Sequence, residues 1–324
     1  MQFEGRKVLI TGGLGFIGSN LAHRLVGMGA EVRLIDSLFP EHGGSLSNIH
    51  GLEGRLRVEV ADLRDTPRLE SVVAGVEVVF NLAGQTSHLD SMRDPATDLA
   101  MNCAAQLALL EACRRLAPEA RLVFASTRQI YGRPDYLPVD EAHPLRPVDV
   151  NGVNKMAGEA YHMVYNDVYG LRATALRLTN TYGPRMRVRD ARQTFLGVWI
   201  RLALQGEPFE VWGGEQLRDF SYVEDVVDAL LLAAATPELD GAAFNLSGDP
   251  VVSLRALAEM LRGETGQGFE IRPFPAERRR IDIGDYHADD GRFRELTGWA
   301  PKVALEEGVR ATLAFYRANM ADYA

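Results

Sequence analysis

The run Thr11-Gly12-Gly13-Leu14-Gly15-Phe16-Ile17-Gly18 puts glycines at 12, 15 and 18, directly after an apolar stretch and at the head of an amphipathic one. A backbone this bare can bring its N–H groups against a pyrophosphate. Gly12 permits a tight turn, Gly15 lets the chain approach the anion, and Gly18 lets a helix pack closely on a strand. Eighteen residues beyond Gly18, Asp36 closes the next apolar stretch, where a carboxylate can hold a ribose diol. That carboxylate repels a 2′-phosphate, so the spacing points to NAD rather than NADP. Asp62, after a third such stretch, is placed to accept from an adenine amino group or to cap the helix that follows.

The elements that must position these groups follow from hydrophobic periodicity. Strands are expected over 7–11, 31–36, 57–61, 76–82, 120–126 and 173–178, and helices over 15–27, 66–73, 98–115 and 152–169. Short apolar strands alternating with helices require crossover connections. The fold class is therefore α/β, a Rossmann-type doubly wound parallel sheet. Past residue 180 the rhythm loosens, with Gly213-Gly214, Pro273 and Pro275 as punctuation. The expected division is an NAD-binding domain over 1–180 that also receives about 223–248. Residues 181–324 would form mainly a smaller, discontinuous substrate-binding lobe.

The 324 residues carry 44 acidic and 35 basic side chains, a formal charge of −9, which disfavours nucleic acid and anionic membrane as partners. Hydrophobic residues at 46% and charged ones at 24% are ordinary for a chain that folds. No window approaches eighteen consecutive apolar residues and no leader pattern precedes the first strand, so a cytoplasmic protein is expected. Cys103 and Cys113 lie ten apart in one expected helix, roughly 15 Å along its axis and too far to bridge. No metal is expected.

Taken together, the ordered segments resemble the extended short-chain dehydrogenase/reductase family, in particular its nucleotide-sugar epimerases and dehydratases, the UDP-glucose 4-epimerase-like group. The likeness rests on Gly12, Gly15, Phe16, Ile17 and Gly18, then Asn81-Leu82-Ala83-Gly84, Asp94-Pro95 with Asn102, Ser126-Thr127, and Ile130-Tyr131-Gly132. It continues through Arg177 to Pro184 and Arg218-Asp219-Phe220, spanning nearly the whole chain. The resemblance implies cofactor contacts at Phe16, Ile17, Asp62, Leu63, Leu82, Ala83 and Asn102. It implies substrate contacts at Gln85, Thr127, Asn180 and Arg218, with Arg278 and Arg279 from the basic run 278–280.

In such enzymes a Tyr-x-x-x-Lys pair moves the proton, the lysine holding the nicotinamide ribose and lowering the phenol's pKa. The corresponding run here is Asn151-Gly152-Val153-Asn154-Lys155, so the lysine is present and the tyrosine is not. An amide has no useful proton affinity near neutrality. Four explanations stand open. Lys155, desolvated beside the cofactor, acts directly; Asn151 holds a relaying water; Tyr131 or Tyr161 fills the space; or the chain binds its ligand without turnover. Asn151, or Asp149 before it, also suits the N-cap of the helix leading through Lys155.

The resemblance places Thr127 against the sugar's 4-oxygen, where a hydroxyl serves both alcohol and carbonyl. Dehydratases follow that threonine with an Asp-Glu pair, and decarboxylases have a glutamate at the second position. Here Arg128 and Gln129 stand instead, and neither is a carboxyl acid or base. The expected activity is therefore NAD-dependent C4 epimerisation of a nucleotide-diphosphate sugar through a transient 4-keto intermediate. A 4,6-dehydratase, another NAD-dependent sugar-nucleotide oxidoreductase and a catalytically silent binding protein remain as alternatives. Arg128 and Arg185 hint at an anion, and Trp212 and Phe209 suit either a nucleobase or the lobe's core. In relatives two helices pair between subunits, and 98–115 and 152–169 match them, with Leu107, Leu109, Leu110 and Cys113 as apolar surface or as core. A homodimer is expected.

Overall fold

The computed structural model describes residues 3–39 and 41–323. The first half alternates strands and helices in chain order: β1 (Lys7–Thr11), α1 (Phe16–Gly27), β2 (Glu31–Asp36), β3 (Arg57–Val60), α2 (Thr66–Val73), β4 (Val78–Asn81), α3 (His88–Arg93), α4 (Pro95–Leu99), α5 (Ala105–Leu116), β5 (Arg121–Thr127), α6 (Val150–Tyr169) and β6 (Arg172–Leu178). The second half contributes β7 (Asn180–Tyr182), α7 (Phe195–Gln205), β8 (Phe209–Trp212), β9 (Leu217–Arg218), β10 (Phe220–Tyr222), α8 (Val223–Ala235), β11 (Ala243–Asn245), β12 (Val252–Ser253), α9 (Leu254–Thr265), β13 (Phe269–Arg272), α10 (Ala276–Arg279), α11 (Gly291–Thr297) and α12 (Leu305–Asn319).

Seven strands form one parallel sheet in the order β11-β6-β5-β4-β1-β2-β3. Helices cover both faces, which is why its strands read as continuous apolar runs. Leu21 and Leu25 of α1 share one core with Val226 and Leu230 of α8. Val72 of α2, Leu109 and Leu110 of α5 and Tyr165 of α6 form the core on the other face. A third core, around Trp199, Phe209, Leu257, Leu313 and Tyr316, belongs to α7, β8, α9 and α12. Residues 223–245 cross back so that β11 extends the central sheet beside β6.

One helix differs from the periodicity, and one open alternative is decided. The helix expected over 98–115 begins at Pro95, capped by the Asp94 carboxylate on the Thr97 N–H. It then widens into a π-turn at Ala100–Ala104 before continuing as α5. Gln106 Nε2 donates to the Met101 carbonyl at 3.1 Å, supplying that turn with a side-chain partner. Of the apolar set that suits either a subunit surface or the core, most is core: Leu109, Leu110 and Cys113 are fully buried, and only Leu107 of the four is exposed. Burial pushes the Cys113 thiol up to about 12, making it an inert core residue. No helix is long and apolar enough to cross a membrane among the described residues.

Candidate active site

Strand order reverses between β1 and β4, and a cleft of about 850 Å³ opens at the carboxyl ends of the sheet. On its first-half side the glycine loop turns from β1 into α1. Gly12 has φ +65°, and a Cβ there would lie 3.0 Å from the Ala83 backbone. A Cβ at Gly18 would collide with the Gly12 carbonyl oxygen. Helix α1 is preceded by Gly15 at its N-cap, which offers no side-chain cap, and has no acid in its first turn. Its first N–H groups thus keep their positive potential for an anion.

Asp36 ends β2 on the cleft wall, where burial holds its carboxyl above the usual range. Its oxygens accept from the backbone N–H groups of Leu14 at 3.0 Å and Leu38 at 2.9 Å, one bond each, which leaves a lone pair on each for a diol. Asp62 also lines the cleft, but Arg64 grips it bidentately at 2.7 and 2.8 Å and holds its carboxyl below the ordinary range. The helix behind it is capped by Asp65, not Asp62. Phe16, Ile17, Leu63, Leu82 and Ala83 complete this wall. The bare loop, the uncapped helix and Asp36 fit the phosphates and ribose of NAD.

Lys155 projects from α6 toward β5. Its Nζ donates to the Ala125 carbonyl at 2.6 Å and lies 4.5 Å from the Phe124 ring centroid. Burial lowers the Lys155 ammonium to about 8, against the opposing pull of Asp98 and Glu159. A neutral amine is therefore accessible near physiological pH, which answers what an amine must do to accept a proton. Thr127, two residues beyond Ala125, lines the cleft while its Oγ1 accepts from the Gln129 N–H at 3.2 Å. Its hydroxyl proton is not used by that bond.

Helix α6 is capped by Asp149, whose Oδ1 accepts from the Gly152 N–H at 2.7 Å, so Asn151 is free of the capping role. Both Asn151 amide hydrogens are spent inward: Nδ2 donates to the Gln85 carbonyl at 2.8 Å and to Asp98 Oδ2 at 3.2 Å. Turning the amide over would set its oxygen against two acceptors, which fixes the orientation. Asp98 also accepts from Asn154 at 2.8 Å and Asn102 at 3.1 Å, so three amides converge on one buried carboxylate. Sequence reasoning missed Asp98, whose partners lie up to 56 residues away. The π-turn is what carries Asn102 under this group.

Several expected residues take other places. Asn102 does not reach the cleft; it is fully buried behind it, bonding Gln85 N and O and so bracing the turn that carries Gln85 onto the wall. Tyr131 is no substitute base. Its hydroxyl donates to Asn245 and accepts from Arg177, it is fully buried, and burial pushes it up to about 12. Tyr161 packs on the α2–α5 core, away from the cleft lining. Arg185 bonds Asn20 and stacks on Phe315, also outside the cleft.

On the second-half side, Asn180, Arg218 and Arg278 line the cleft, whereas Arg279 is exposed and points elsewhere on its short helix α10. Arg218 is nearly buried, donating to the Leu217 and Gly284 carbonyls with Asp282 at 3.5 Å. Asn180 donates to the Asp219 carbonyl at 3.0 Å. The Arg278 guanidinium sits 4.4 Å from the Trp212 ring centroid, so Trp212 belongs to the cleft. Phe209 instead stacks between Trp199 and Phe269 in the lobe's core. Gln129 is held by Asp149 at 2.8 Å, and His88, also on the wall, puts Nδ1 2.9 Å from the same carboxylate.

Residues 8–247 match the NAD dependent epimerase/dehydratase family. The chain is 33% identical over 317 residues to a UDP-glucose 4-epimerase of Mycolicibacterium smegmatis, covering 96% of this chain and 98% of the relative. It is 31% identical to UDP-glucuronic acid decarboxylase 1 of Xenopus tropicalis, over 98% of this chain and 73% of that protein. Among solved structures, a UDP-glucose 4-epimerase of Thermotoga maritima with UDP-glucose superposes with a TM-score of 0.88 at 30% identity, covering 97% and 99% of the two chains.

Proposed function

The chain belongs to the NAD-dependent epimerase/dehydratase family, and from that premise we propose that it epimerises a nucleotide-diphosphate sugar at C4 through a transient 4-keto sugar. The observation that carries this reading is Lys155: a desolvated amine on the same cleft as the Thr127 hydroxyl, with no carboxyl group at 128 or 129 to eliminate water.

The glycine loop, Asp36, Leu63, Leu82 and Ala83 would hold NAD, which when bound takes a hydride from C4 and returns it. Lys155 in its amine form accepts the proton of the 4-hydroxyl, becoming an ammonium, and gives it back on return. Thr127 donates its hydroxyl proton to the developing carbonyl oxygen. Asn180, Arg218 and Arg278 anchor the diphosphate, guanidinium groups being suited to bidentate contact. Gln85, beside Asn151, borders the sugar. Exposed Leu107, Val153, Val164 and Val168 on α5 and α6 support a homodimer.

Incubation with uridine, guanosine, cytidine and thymidine diphosphate sugars, followed by proton NMR, tests the reading. Inversion at C4 without accumulation of NADH is the expected result. Steady NADH formation, or loss of a water from the sugar, would replace it by a dehydrogenase or a dehydratase.

Asn151 separates the remaining explanations for the missing phenol. Because its amide clamps Gln85 and Asp98, Asn151→Tyr is expected to raise turnover at no pH and to leave the profile set by an amine. A gain in kcat with a phenol-like pH dependence would show instead that position 151 lacks only its base.

A further inference from the structure

One cation on the cleft takes no part in holding the cofactor or the diphosphate. Arg128 follows Thr127 at the end of β5 and lines the cleft, yet it makes no hydrogen bond or ion pair among the described residues. Its Nε is buried without a partner, and its guanidinium only rests 5.6 Å from the Tyr286 ring centroid. A desolvated guanidinium with unused donors is costly unless an anion answers it. Burial lowers the Arg128 guanidinium below its ordinary range, and Asp219 opposes this without reaching it.

Nearby charges do not supply that anion. Asp219 is fully buried, accepts from Ser247 and the Ala288 N–H on Oδ2, and leaves Oδ1 unpartnered. Burial pushes its carboxyl up to about 6, with Arg128 opposing. Asp282 is taken up by Arg218 and the Gly284 N–H. Arg218 already has two carbonyls and Asp282, and with Arg278 it matches the two charges of a diphosphate. Arg128 lines the same cleft as Arg218, whose guanidinium feels its charge, and is next in sequence to Thr127, so it shares that wall with the groups assigned to the phosphates and to the sugar's 4-oxygen.

We infer that Arg128 is a specificity residue for an anionic sugar, its guanidinium receiving a carboxylate at C6 of a nucleotide-linked hexuronate. The inference rests on the nucleotide-sugar reading above. The planar fork matches a carboxylate, and C6 hangs from the ring carbon next to C4. A neutral hexose leaves the guanidinium unanswered, so the site discriminates through its own unpaired donors.

The test uses the NAD-loaded protein and matched ligands, UDP-glucose against UDP-glucuronate, with UDP alone as the third arm, measured by calorimetry and by turnover. Wild type is expected to bind the uronate roughly ten- to a hundredfold more tightly than the neutral sugar. Arg128→Gln should abolish that preference while leaving UDP and UDP-glucose affinity within about threefold, and Arg128→Lys should keep part of it. Equal weakening of UDP, UDP-glucose and the uronate would make Arg128 a phosphate anchor and overturn the proposal. So would wild-type indifference to the C6 charge, a result that needs no variant to fold. Failure of every nucleotide and nucleotide sugar to bind would overturn the nucleotide-sugar reading itself, whereas indifference with binding intact removes only the uronate.

Discussion

Lys155→Met is expected to lower turnover by about 10² to 10⁴-fold, the usual worth of a positioned proton carrier. On the proposed mechanism only the neutral amine accepts the 4-hydroxyl proton, so wild-type kcat should rise with pH through a midpoint near 8. The variant's residual rate should lose that rise. Stability moves differently. The folded-state pKa lies below the ordinary lysine value of 10.5, so between about 8 and 10.5 the unfolded chain holds a proton that the folded one has released. Folding stability contributed by this group therefore increases as pH climbs through that window, and is least below it. Methionine carries no charge into the same buried space, so the variant should be at least as stable as wild type at pH 7. Loss of turnover together with loss of the fold would assign Lys155 a merely structural role.

Glu159→Leu is the second large effect, and it falls on stability. Glu159 sits one turn beyond Lys155 on α6 and meets Arg177 of β6 at 2.6 Å, both side chains being nearly inaccessible. Ser126 donates to the same carboxylate at 2.6 Å, and Arg177 goes on to the Tyr131 hydroxyl at 2.6 Å. Removing the carboxylate strands a buried guanidinium, which costs about 3–5 kcal/mol, readable as a drop in urea midpoint. The double variant Glu159→Leu/Arg177→Met should recover much of that loss, since apolar side chains of similar size fill the space without charge. Glu159 also raises the Lys155 pKa, so its loss should move the rise in kcat to lower pH. A single variant with unchanged midpoint would show the pair to be ornamental.

The parts of this site that could be read from the sequence are those whose function is local. Gly12, Gly15 and Gly18 act through one turn, and Asp36 acts through its place at the end of one strand, so spacing alone locates them. Lys155 is legible only through the resemblance, as the lysine of a Tyr-x-x-x-Lys pattern whose first position is Asn151 here. Asp98 gives no such signal, because an aspartate before an apolar run reads as an ordinary exposed helical acid. Only the packing of α4 on α6 reveals that Asn151 and Asn154 converge on it. Asn102 follows from the resemblance alone, which says nothing of a π-turn; the widened turn at Ala100–Ala104 carries this residue, and its side chain braces Gln85 instead of lining the cleft. Arg279 and Arg278 are adjacent, and which of two neighbours on a one-turn helix faces inward is decided by tertiary contact with Trp212. Arg128 was visible as a departure from a carboxyl pair, but its lack of partners is a property of the folded interior.

The carboxylate that gathers Asn102, Asn151 and Asn154 has a consequence for how such an enzyme can change. Each of these positions sees the others through a shared acceptor, so their substitutions are epistatic. A phenol introduced at 151 withdraws one donor from Asp98, and an amide introduced at 98 sets donor against donor. Laboratory evolution toward a tyrosine base should therefore stall at single steps and proceed through paired exchanges at 98 and 151.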